Sequence, residues 1–339
     1  MICLTPKVTS HKVLSFLCVS TKRMARIRFG ARLNIQGEMG ADSSAFDYAL
    51  AMARTAEDLG YDSVWVPDHV ENAHLQREKP ILEHWTTLTA IGALTKRVRL
   101  GGHSLNNTFR HPGLTAKIVC TLDQITAGRV ILAPGSGWFE AEARAYGFPW
   151  DDREGRHQRL KESLIVMKRL FTEPKVSFRG RYVQLQDAYC NPKPVQQPHP
   201  PFWVAGEGPL TKELVAEFAD CWFMYSKPPE QVEALVAPMR AQLSQRQLEV
   251  ALSAVYLCGK RDDEILKWAQ MYADERKHRF TIAPTADDVM RSNLLGDETR
   301  VRERIDAWIG AGVNYIVIQP MPPREGLREF GERIIPRYS

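Results

Sequence analysis

The chain has 339 residues, 44% of them hydrophobic and 25% charged, which is ordinary globular composition and enough for one large α/β domain or two smaller ones. Its formal net charge is only +5, and no Lys/Arg cluster is interleaved with aromatics, so a nucleic-acid surface is not expected. No apolar run approaches the ~20 residues of a membrane helix, and the six cysteines form no C-x-x-C pair, which argues against a metal site or disulfide framework and for reduced thiols in a cytoplasm.

Residues 1–23 read as a poorly ordered extension. The apolar patch 13–19 loosely resembles a signal peptide, but Lys22, Arg23, Arg26 and Arg28 follow at once and no A-x-A-type cleavage site appears. Met24 can serve as an alternative start, and residues 24–339 are expected to form a single domain.

From Ile27 onward, short β-branched runs alternate with amphipathic helical patterns. Strand 27–33 is followed by a loop holding Gly37 and Gly40, then by a helix over 44–59 that Asp42 or Ser43 can cap and Gly60 stops. Strand 61–70 exposes Asp68 and His69 after Pro67. Helix 81–94, strand 98–102, helix 113–125 and strand 129–133 come next, then a helix over 153–171. The segment 174–201 breaks the rhythm, with a small hairpin around Phe178 to Tyr182 and a proline-rich extended connector. Strands over 202–205, 220–225, 250–257 and 315–319 alternate with helices over 210–218, 229–244, 262–273 and 298–309, and 274–295 reads as an irregular insertion. Eight strands alternating with helices suggest an α/β fold of the (β/α)8 TIM-barrel type with insertions; a doubly wound sheet is the alternative, because strand count alone does not prove closure.

A barrel places function just after the strand C-termini. The candidates there are Asp68, His69, the loop 102–110, the stretch 134–142 and residues 206–210. In 135-GSGW-138 an apolar strand opens into residues that let backbone come close to a planar ligand, since glycine has no Cβ to collide. Ser136 and Gly137 would line that approach and Trp138 would form a wall; the alternative is a tight turn with a core tryptophan. Gly206 and Gly208 before a helix offer free N–H groups to a phosphate, and Arg156 can add a charge-assisted hydrogen bond, unless it pairs with Glu154 or Asp152. Glu207 would have to face solvent. His69 beside Asp68 is the candidate proton donor, because an ordinary imidazole titrates near neutrality. The histidines form no metal-ligand spacing, so no metal is expected.

The segments 86-TTLTAIGALTKRVRLG-101, 111-HPGLTAKIVCTLDQITAGRV-130, 135-GSGWFEAEARAYG-147, 156-RHQRLKESLIVMKRLF-171, 192-PKPVQQPHPPFWVAGEG-208 and 296-GDETRVRERI-305, in that order, resemble the bacterial luciferase-like superfamily of flavin- and F420-dependent oxidoreductases. The closest look is to the FMNH2-dependent two-component monooxygenases of sulfonates, sulfones and pyrimidines. The resemblance implies a luciferase-like TIM barrel that uses reduced FMN and O2 to oxygenate a small organic substrate, with a separate flavin reductase as partner and a homodimeric assembly built on the helices near 81–94 and 113–125. It implies flavin contacts at Asp68, His69, Ala133, Glu142, Arg156, His157 and Gly208, and a non-proline cis peptide near residues 102–104. Residues 253-SAVYLC-258 lack the Arg-x-His pair that some sulfonate monooxygenases carry in strand seven. The other readings are an F420-dependent hydride-transferring oxidoreductase, a flavin-binding protein without turnover, and an unrelated barrel hydrolase using Glu140 and Glu142. Residues 274–295, with Arg276, Lys277, His278 and Arg279, are a candidate lid.

Overall fold

Strand β1 (Arg28–Arg32) leads through α1 (Ala45–Asp58) to β2 (Ser63–Val66), in a computed structural model that describes residues 26–33, 35, 44–73, 77–244, 246–277 and 284–339. The expected extension over 1–23, the loop with Gly37 and Gly40, and His278 and Arg279 lie outside the described residues. Six further βα units follow: β2 with α2 (His84–Leu94), β3 (Arg99–Gly102) with α3 (Pro112–Thr126), β4 (Val130–Ile131) with α4 (Arg153–Thr172), β5 (Trp203–Ala205) with α5 (Pro209–Phe218), β6 (Cys221–Tyr225) with α6 (Pro229–Gln242) and β7 (Glu249–Cys258) with α7 (Glu298–Gly310). Strand β8 (Tyr315–Pro320) and α8 (Pro323–Arg333) close the βα series, and a further helix, Asp262–Glu275, lies between β7 and α7.

Local chemistry sets the helix starts. Ser44 Oγ accepts from the Asp47 N–H, Asp152 Oδ1 accepts from the Gly155 N–H at 2.7 Å, and His111 Nδ1 caps α3 ahead of Pro112, whose missing N–H costs nothing at the first helical position.

All eight strands are parallel, and each pairs with its sequence neighbour, β8 returning to β1 with Arg28 opposite Tyr315. The ring closes between β4 and β5, where Leu132 bridges Phe202: the Leu132 N–H donates to Pro201 O at 3.0 Å and the Trp203 N–H donates to Leu132 O at 2.8 Å. The sheet is therefore a barrel, not an open doubly wound layer. Its interior is filled by Trp65, Ile131, Ala133, Trp203, Phe223, Tyr315 and Val317, with the Trp65 and Trp203 rings 4.9 Å apart. Gly30 and Gly101 on the flanking strands leave room for the Trp65 ring, since a Cβ at either would collide with it. A second, larger apolar layer lies between the strands and the helices.

Two regions depart from the sequence expectation: residues 274–295 and the rim loops after β3 and β4. Residues 274–295 are not irregular throughout: Thr285 and Asp288 form a reciprocal capping box for a helix Ala286–Ser292, and Leu294–Gly296 adds a parallel strand to β7. Val289 and Leu295 pack there with Ile265 and Ala269. A short helix, Glu140–Ala145, interrupts the β4–α4 connection, and Leu105–Asn106 pairs in parallel with Pro134–Gly135 above the barrel rim.

Candidate active site

That short rim ladder ties the loops after β3 and β4 together, and the Leu105 N–H donates to Ala133 O at 2.8 Å. Beside it lies a cavity of about 240 Å3 at the C-terminal end of the barrel. Its walls come from the ends of six consecutive strands: Arg32 at the end of β1, Asp68 and His69 after β2, His103 to Asn106 after β3, Gly135 to Trp138 after β4, Ala205 and Gly206 at the end of β5, and Tyr225 at the end of β6. Among the described residues no group of His, Cys, Asp and Glu is placed to hold a metal ion, and no helix is long and apolar enough to cross a membrane.

His69 is held from behind. Its Nδ1–H donates to Glu142 Oε2 at 2.8 Å, and Glu142, fully buried, also accepts the Val70 N–H at 2.6 Å and the Glu71 N–H at 3.2 Å through Oε1. With Nδ1 committed, Nε2 is the ring nitrogen left to exchange a proton with a bound molecule. The Trp138 indole meets the His69 ring edge-on at 5.8 Å and stacks on Phe139 at 5.2 Å, while 41% of its surface stays exposed at the mouth.

Asp68 is buried, and its oxygens are occupied. It accepts the Asn106 N–H at 2.8 Å and a two-pronged Arg110 guanidinium at 2.9 and 3.0 Å. Arg110 also reaches Glu83 at 2.6 Å. Burial opposes the charge of Arg110, but Asp68 and then Glu83 more than offset it and raise its pKa above the ordinary value. The pair pins the loop after β3 against the end of β2.

A non-proline cis peptide joins His103 and Ser104. His103 Nε2 lies 2.7 Å from Ser253 Oγ. Gly137 adopts φ +82°, in the left-handed region, and a Cβ there would sit 2.8 Å from Asn106 Oδ1, so the corner is built around the missing side chain.

The remaining predicted residues fall into two groups. Ser136, Gly137 and Gly206 line the cavity with Asp68, His69 and Trp138, whereas Ala133 lies in the barrel interior and Glu142 stands behind His69. Gly208, Arg156 and His157 sit apart, where the starts of α4 and α5 meet. Gly208 is the N-cap of α5, without a side chain to satisfy the helix start, and a Cβ on it would strike the Arg153 guanidinium. His157 Nδ1–H donates to Arg153 O at 2.8 Å, so Nε2 accepts from Thr211 Oγ1 at 3.1 Å, which needs the neutral ring; burial lowers its pKa accordingly. Thr211 lies against Gly206, linking this junction to the cavity. Arg156 donates to Asp151 O at 2.7 Å and covers the Trp150 ring at 4.2 Å, while its Nε is buried without a hydrogen-bond partner. Glu207 pairs with Lys227 rather than facing solvent alone.

Sequence reasoning passed over Arg32 and Tyr225. Both stand at strand ends, which was the available signal, but neither end has unusual composition. Arg32 NH1 donates to Gln319 Oε1 at 2.9 Å across the β1–β8 pair.

Residues 27–315 match the family described as luciferase-like monooxygenase. The FMNH2-dependent dimethylsulfone monooxygenase of Pseudomonas putida is 25% identical over 87% of this chain and 85% of its own length. The F420-dependent glucose-6-phosphate dehydrogenase of Microbacterium testaceum is 32% identical over 92% of this chain and 97% of its own. Among solved structures, an F420-dependent secondary alcohol dehydrogenase in complex with an F420-acetone adduct superposes with a TM-score of 0.78 at 21% identity, covering 91% of this chain and 98% of that one, which is a likeness of fold.

Proposed function

Because the chain belongs to the luciferase-like monooxygenase family, we propose that this oxidoreductase uses reduced FMN and O2 to oxygenate a small organic substrate. The observation that carries the proposal is the His69–Glu142 pair at 2.8 Å, set beside the Trp138 indole and the Gly135–Gly137 corner in one cavity. A planar redox ring suits that corner, where backbone is bare and a Cβ at Gly137 would not fit. A phosphate suits the start of α5, which Gly208 leaves without a side-chain cap and which the Arg153 guanidinium approaches; Arg156, in the first turn of α4 with its Nε unpartnered, is the second cation proposed for it. Two guanidinia at a helix start match the terminal phosphate monoester of FMN.

Reduced FMN, when bound, supplies the two electrons that reduce one oxygen atom of O2 to water while the other enters the substrate. The protein's share is positional. His69 Nε2 exchanges a proton with the bound molecules, Glu142 fixes the ring's orientation, Asp68 holds the β3 loop through Arg110, and Trp138 excludes water from one side. A separate flavin reductase would provide the reduced flavin. A second copy of the chain is the occupant proposed for the exposed Leu94, Leu114 and Ile125 on α2 and α3.

The second reading, F420-dependent hydride transfer, is favoured by the 32% identity to an F420-dependent dehydrogenase. Anaerobic titration of the full chain with reduced FMN and, separately, with F420 separates the two. Saturable binding of reduced FMN, followed by O2 consumption when a flavin reductase is present, is expected; binding of F420 without binding of reduced FMN overturns the monooxygenase assignment.

A further inference from the structure

On the outer side of the barrel, Cys120 in the middle of α3 faces Cys190 in the connector that follows the Val176–Arg179 and Gln184–Ala188 hairpin. Both side chains are buried, at 0% and 2% exposure, and their sulfurs lie 3.6 Å apart although the residues are 70 positions apart in the chain. The surroundings hold them in register. Lys117, one turn before Cys120, donates to the carbonyl of Asn191 beside Cys190. Lys193 donates to the carbonyls of Leu170 and Glu173 at the end of α4. Gln196 bonds Asp123 of α3 through both its main-chain N–H and its side-chain amide. The connector is therefore fastened on either side of the sulfur pair, and neither cysteine is needed by the cavity chemistry.

We propose that Cys120 and Cys190 form a reversible disulfide, made by hydrogen peroxide, that ties α3 to the connector feeding β5. The proposal stands on the thiol pair alone and needs no cofactor. The Cys190 sulfur, as thiolate, attacks one oxygen of the peroxide; the O–O bond breaks, hydroxide leaves and takes a proton from solvent. The Cys120 sulfur then attacks the resulting sulfenic sulfur; the S–O bond breaks and water leaves with the Cys120 proton. Two thiols are oxidised by two electrons and one peroxide is reduced to two waters. Closing the gap from 3.6 Å to the ~2.05 Å of an S–S bond is within reach of side-chain rotation. Cys190 is written as the attacking thiolate because the hydrogen bond from Cys120, then Lys193 and Lys117, favour its ionised form and lower its pKa, while the same contact pushes Cys120 up.

The test uses the full chain, reduced, desalted and exposed to hydrogen peroxide, then denatured, alkylated and mapped by peptide mass. Peptides carrying Cys120 and Cys190 are expected to be joined, with Cys221 still alkylated, and dithiothreitol should restore both thiols. The oxidised protein should melt about 5 °C higher, because the crosslink closes a long loop in the unfolded chain. In Cys120→Ser the sulfenic acid on Cys190 should become trappable by dimedone, and Cys190→Ala should abolish the crosslink. If Cys120→Ser does not fold, peptide mapping of the natural chain and of Cys190→Ala still decides. Full alkylation of both residues after peroxide, or Cys190 driven to sulfinic acid without linkage, overturns the proposal.

Discussion

Glu142 receives the imidazole N–H of His69 and two main-chain N–H groups in a site closed to solvent. Its replacement by alanine leaves those donors unpaired, at ~1–3 kcal/mol for each buried group. Urea unfolding of Glu142→Ala should therefore show a loss of about 2–5 kcal/mol, and turnover should fall with it because His69 is no longer oriented; an unchanged midpoint would contradict the contacts described. Histidine burial makes a second residue-scale prediction. Burial lowers the pKa of His84 from the ordinary 6.5 against the pull of Asp68, and lowers that of His157 against its bond to the Arg153 carbonyl. A base with a depressed folded pKa binds fewer protons folded than unfolded once the pH falls below the unfolded value, so stability declines as pH drops below about 6.5. Thermal melts between pH 7.5 and 5 should track this decline, and His157→Gln should flatten it.

At the scale of elements, the loops after β2 and β3 are joined by one buried ion pair, and α4 meets α5 over a helix start with no side-chain cap. Removing Arg110 strands the Asp68 charge in the interior, which costs ~3–5 kcal/mol. Arg110→Ala and Asp68→Asn should each destabilise strongly, while the double variant should lose much less than their sum; additivity in a double-mutant cycle would show that the two act separately. The α4–α5 junction predicts selectivity for the phosphate. Arg156→Ala should weaken FMN binding by about 10- to 100-fold, the worth of a hydrogen bond to a charged group, and leave riboflavin binding unaltered. An equal loss for both flavins would place Arg156 away from the phosphate.

The whole molecule is held by ring closure. Leu132 and Phe202 join the two halves of the sheet, and the tryptophan-rich interior beneath the cavity makes the rim a firm support for groups that must meet within tenths of an ångström. The exposed Leu94, Leu114 and Ile125 lie on neighbouring helices α2 and α3, where an isologous dimer would cover them. Sedimentation should give a dimer for the natural chain and a monomer for Leu114→Glu combined with Ile125→Glu; a monomeric natural chain would remove that assembly from consideration.

Strand and helix alternation was legible because each element writes its own period into contacts only two to four residues apart. Pro67 before Asp68 and His69, and the glycine corner ending at Trp138, were legible because they break that period at a strand end. The capping box at Thr285 and Asp288 was also written locally and was passed over as irregular chain. What the tertiary structure decided are the pairings across distance: Glu142 behind His69 from 73 residues away, Arg110 on Asp68 from 42, Cys120 against Cys190 from 70. Arg32 and Tyr225 joined the site only because the ring closed and brought their strand ends to the same rim. Periodicity reports which face of an element is buried; which groups meet across the cavity depends on strand register and closure, and those are properties of the assembled barrel.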